Sequence, residues 1–76
     1  MLTQEIKSKI DAIANTLALE CVLGGRQLGK GSDELSDAIS MWDQETYTRA
    51  EWDAAVLYFE RKISATIYDL RFGRGH

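Results

Sequence analysis

The sequence predicts an all-α fold, a small bundle of two long antiparallel helices with a short helix between them. Three observations carry that expectation: apolar residues recurring at helical spacing, paired capping signals, and glycines gathered where a chain must turn. Proline is absent from the 76 residues, so glycine and the capping residues provide the only punctuation. No stretch alternates apolar and polar residues as a half-buried strand would. The 45% apolar content is that of a folded chain. The length allows one domain, residues 1–76, with residues 73–76 as a flexible basic tail.

The first helix is expected from about Gln4 to Leu23. Thr3 is placed to cap it, and Gly24 to close it in the left-handed conformation. Ile6, Ile10, Ile13, Leu17 and Cys21 recur at steps of three and four and make one apolar face. Leu19, Val22 and Leu23 add a second apolar side near the end, which implies cover from more than one direction.

A short second helix is expected over about Asp33 to Asp43, capped by Gly31 or Ser32. Leu35, Ala38, Ile39 and Trp42 form its apolar face. Asp33, Glu34 and Asp37 fall in its first turns, where the positive end of the helix dipole favours acids.

The third helix has the strongest start signal. Thr48-Arg49-Ala50-Glu51 reads as a capping box, in which the threonine oxygen and the glutamate carboxylate each accept from the other residue's amide. Tyr47 and Trp52 flank it as a hydrophobic staple. The helix should run from Arg49 to about residue 71, stopping at Gly73. Trp52, Ala55, Val56, Phe59, Ile63, Ile67 and Leu70 cluster on one side, and Leu57, Tyr58, Ala65, Tyr68 and Phe72 on the other, interrupted by Arg61. One helical neighbour can cover only one such face, so the second predicts a further contact, from helix two, a partner protein or a second subunit, of which a homodimer is expected.

Several chemistries are disfavoured. The single Cys21 excludes a disulfide scaffold, and it stands without the histidine or cation that would activate a thiolate. The one histidine, His76, is terminal, so no nucleophile–base set and no metal site can be assembled. No catalytic residue and no cofactor is expected. No apolar run approaches the length of a membrane span, and charged residues break the N-terminal region where a signal sequence would be apolar. A cytoplasmic setting follows as the simplest expectation.

The segment Gly24-Gly25-Arg26-Gln27-Leu28-Gly29-Lys30-Gly31-Ser32 approaches a phosphate-binding loop, with Gly31 where the hydroxyl should stand. That motif works after a strand, and here it follows a helix. A weaker anion site remains conceivable, built from Arg26, Lys30, Gly29, Gly31 and Ser32 at the start of the second helix.

Charge is distributed unevenly. Residues 33–60 hold eight acids and one base, while residues 61–76 carry a net +3. The acids Asp37, Asp43, Glu45, Asp53 and Glu60 are not all explained by first-turn capping. With Leu57, Tyr58, Arg61, Tyr68 and Phe72 they form the candidate partner surface, suited to a larger protein with a basic face. The exposed face of the third helix mixes acids with bases, which argues against direct reading of DNA. The expected function is a non-catalytic interaction module that binds and modulates a larger partner, as inhibitors from phage and mobile elements do. The alternatives are a binder of a phosphorylated small molecule or nucleotide at residues 24–32, and a nucleic-acid-associated regulator.

Overall fold

A computed structural model describes residues 2–39 and 46–73. Three helices account for most of them: α1 (Gln4–Gly24), α2 (Gly31–Ala38) and α3 (Arg49–Phe72). The two long helices pack against each other, with the short α2 between them, and no strand occurs among the described residues.

Helix α1 starts where its cap predicts. Thr3 is extended, and its hydroxyl accepts from the Ile6 amide at 3.2 Å. The left-handed residue at the other end is Gly25 (φ +70°), so Gly24 is the last helical residue and not the expected cap. The Gly25 and Arg26 amides both turn back to the Glu20 carbonyl, satisfying acceptors that a helix end leaves open.

Helix α2 opens earlier than its acids suggest and closes at Ala38, with Ile39 already extended. Neither Gly31 nor Ser32 caps it; the N-cap is Lys30, whose side chain makes no capping bond. Leu35 and Ile39 are buried, whereas Ala38 is exposed at the rim of a shallow apolar groove shared with Ala12, Ile13, Thr16 and Leu17. Trp42, and with it the expected stretch to Asp43, lies outside the described residues.

Helix α3 begins with the complete capping box. Thr48 Oγ1 accepts from the Glu51 amide at 3.1 Å, and Glu51 Oε1 accepts from the Thr48 amide at 2.9 Å. The Tyr47 and Trp52 rings stack at 6.2 Å, which forms the staple. Gly73 closes the helix with φ +67°, its amide donating to the Asp69 carbonyl.

The core joins all three helices through Ile10, Ala14, Leu17 and Ala18 of α1, Leu35 and Ile39 beside α2, and Ala55, Phe59 and Ile63 of α3. Ala14, Ala18 and Ala55 are wholly covered, and such short side chains allow helix backbones to approach closely. Cys21 is buried, as its place on the apolar face implied. Two expectations of cover are corrected. Leu19 and Leu23 are exposed (45% and 80%), because helical packing reaches only one side of the end of α1. Leu70, assigned by periodicity to the core face, is exposed as well.

Candidate functional site

The side of α3 facing away from the core carries a row of residues at steps of four and three: Ala50, Ala54, Leu57, Arg61, Ala65, Tyr68 and Phe72. At about 100° per residue these positions stay on one side of the helix, opposite Ala55, Phe59 and Ile63. Leu57 is 48% exposed, Tyr68 62% and Phe72 68%; Ala50, Arg61 and Ala65 are also exposed. The Tyr68 and Phe72 rings touch, with centroids 4.6 Å apart, and form a continuous aromatic end to the row.

Acids and bases flank it. Asp53 is largely open to solvent and lies 3.7 Å from Arg49, one turn earlier, an exposed pair that contributes little. Glu60 is exposed, and its side chain lies directly over Gly31, where a Cβ would collide with it. Asp37 is exposed on α2. Asp43 and Glu45 lie outside the described residues, as do Arg74 and His76 of the basic tail.

Tyr58 departs from the role expected of it. Its hydroxyl donates to Asp11 Oδ1 at 2.8 Å, and Lys7 Nζ lies 5.9 Å from its ring centre. The same Asp11 oxygen is 4.0 Å from Lys62 Nζ. Tyr58 is therefore half-buried in the seam between α1 and α3 and is not an open anchor. The hydrogen bond to Asp11, with burial second, raises the Tyr58 phenol above its ordinary range.

In the glycine-rich loop, the cation and the amide proposed for an anion already serve the chain's own carboxylates. Arg26 forks between Glu20 Oε2 at 2.7 Å and Glu34 Oε1 at 2.8 Å. The other Glu34 oxygen accepts from the Gly29 amide at 2.8 Å. The Glu20 hydrogen bond is the main reason that the Arg26 guanidinium holds its proton more firmly than usual. An incoming phosphate would have to displace two carboxylates from Arg26 and one from Gly29. Lys30 is exposed, while Gly31 and Ser32 are half-covered in the first turn of α2.

The sequence alone does not pair these groups: Glu34 reads as a first-turn acid of the second helix and Arg26 as a candidate anion ligand. The signal is their spacing: Glu20 lies one turn before the end of α1 and Glu34 falls in the first turn of α2, with Arg26 between them. Among the described residues no group of three or more potential ligands is placed to hold a metal ion. None of their helices is long and apolar enough to cross a membrane.

The class defined by this geometry is a small all-α bundle whose described helices leave an apolar and aromatic face of α3 uncovered. Neither family models, nor curated proteins, nor solved structures contain a match to this chain.

Proposed function

We propose that the chain is a non-catalytic, cytoplasmic interaction module that binds a larger protein bearing a basic surface and modulates it, inhibition being one form this could take. The observation that carries this reading is the exposed row on α3, ending in Tyr68 and Phe72 and bordered by Asp53 and Glu60. Exposed apolar surface of this kind costs solubility unless something covers it. Aromatic residues beside a charged rim are the usual composition of a contact patch. The glycine-loop reading has weaker support, since Arg26 and the Gly29 amide are engaged by Glu20 and Glu34.

The test compares the wild-type chain with Asp37→Lys/Glu60→Lys and with Arg26→Ala/Lys30→Ala, each immobilised against extract of the source cell. A partner retained by the wild type, released by salt and lost on acid reversal at unchanged helicity supports the proposal. Capture that ignores acid reversal, together with a phosphorylated ligand lost from the Arg26/Lys30 variant, would replace it with the glycine-loop reading.

A further inference from the structure

We infer that the outer row of α3 is self-complementary and is covered by α3 of a second copy running in the opposite direction. The inference rests on the interaction reading and names a second copy as the occupant of the face that carries it; Asp37, exposed on α2 and not on α3, stays open to any further partner.

The first argument is size. The row begins with small residues, Ala50 and Ala54, and ends with large ones, Tyr68 and Phe72, while Leu57 and Ala65 on either side of Arg61 stand in the reverse order. Laid parallel, two copies would set aromatic against aromatic and leave alanine facing alanine. Laid antiparallel about Arg61, Ala50 meets Phe72, Ala54 meets Tyr68, and Leu57 meets Ala65. Every level except the central one, where Arg61 meets its own copy, then joins a large side chain to a small one, as a close-packed seam requires.

The second argument is charge. Residues 49–60 carry Arg49, Glu51, Asp53 and Glu60, a net −2, and residues 61–72 carry Arg61, Lys62, Asp69 and Arg71, a net +2. Antiparallel pairing places the negative half of each helix on the positive half of the other, and parallel pairing places like on like. Asp53 and Arg71 lie on the same edge of α3, and in a two-fold antiparallel pair identical edges meet. Each Asp53 thus comes near Arg71 of the second copy.

The third is length and period. The steps of four, three, four, four, three and four keep the row on one side of a straight helix and read the same from either end, and Ala50 to Phe72 spans roughly 33 Å at 1.5 Å per residue. Arg61 is the one charged residue in the row. It falls on the two-fold axis, where its long stem can pack while the guanidinium escapes to the rim. A polar residue at a seam position fixes register at a cost in affinity.

The test is the mass of the full-length chain in solution by sedimentation equilibrium. The expected result is a reversible dimer of twice 8.6 kDa. Tyr68→Ser should weaken it by at least about tenfold, whereas Arg61→Leu should tighten it. Both positions are exposed, so helicity by circular dichroism should stay at the wild-type level. For direction, an Ala54→Cys chain mixed with a Tyr68→Cys chain, each also carrying Cys21→Ala, should cross-link to each other in preference to themselves. A wild-type monomer at millimolar concentration overturns the inference, as does self-linking of Ala54→Cys in preference to the mixed pair. A monomer that still captures a basic partner sinks the dimer and spares the interaction reading. A dimer that captures nothing in the acid-reversal experiment does the reverse.

Discussion

Replacing Thr48 with alanine removes one defined bond and leaves the rest of α3 in place. The hydroxyl lost is the one that accepts from the Glu51 amide at 3.1 Å, while the reciprocal bond from the Thr48 amide to Glu51 survives. Loss of a threonine cap costs about 1 kcal/mol. A lone core of this size leaves about 3–5 kcal/mol in reserve, so the change is a sizeable part of the whole. In a domain of this length that corresponds to a fall in Tm of about 4–8 °C. The measurement is thermal denaturation followed by circular dichroism, with Thr48→Ser as a control that should keep most of the loss from appearing. The effect should also depend on pH. The Thr48 backbone bond, and then its hydroxyl, hold the Glu51 carboxyl below the usual carboxylate range. A depressed folded pKa contributes stability that is present above the unfolded pKa of about 4.3 and lost as pH falls through the folded value. The backbone bond survives in Thr48→Ala, so only the smaller share due to the hydroxyl is lost, and the difference from wild type should be modestly larger at neutral pH than in acid. An unchanged Tm, or a difference that grows on acidification, would refute the capping argument.

Tyr58 should ionise later than an ordinary tyrosine, and Asp11→Asn should bring it back; ultraviolet titration that finds all three tyrosines ionising together would contradict this. Because the folded pKa is raised, the stability that this contact contributes is present below the ordinary phenol range and is lost as pH rises through the folded value. Gly25→Ala forces a side chain into φ +70° and should cost about 1 kcal/mol in chemical denaturation. The nearest atoms that Gly31→Ala meets belong to the Glu60 side chain, so most of its cost should vanish when Glu60 is also truncated, and a cost that persists in full would place the obstruction elsewhere.

The helices were legible where the signal is local. The box at Thr48 and Glu51, the Thr3 cap and the stop at Gly73 each depend on residues within one turn of each other, and each forms as its residues imply. The buried faces of α1 and α3 follow from period alone, as Ile10, Leu17, Cys21, Phe59 and Ile63 demonstrate. What could not be read depends on how far a neighbour reaches. Tyr58 stands at the edge of the apolar arc of α3, and only the position of Asp11 on another helix decides that it joins the seam. Leu70 has the right phase for the core but lies near the end of α3, where phase alone does not supply a neighbour. Arg26 had no assigned partner because its two acids come from different helices, six and eight residues away. Of the candidate surface, Leu57, Tyr68 and Phe72 are open as expected, because they lie opposite the buried stripe of the same helix and inherit its regularity.

The core of the described residues contains no buried polar or charged side chain. Such an interior constrains its occupants by volume and by little else, so isoleucine, leucine, valine and methionine can replace one another there at modest cost. Over generations the interior can drift while the shape persists. The positions with least latitude lie at the margins, where Thr48 and Glu51 cap each other, Gly25 and Gly73 turn the chain, and Asp11 meets Tyr58. Descendants of such a chain would share a skeleton of caps and turns around an interior rewritten many times. Their kinship would be easier to find in the spacing of a few polar residues than in the letters of the core.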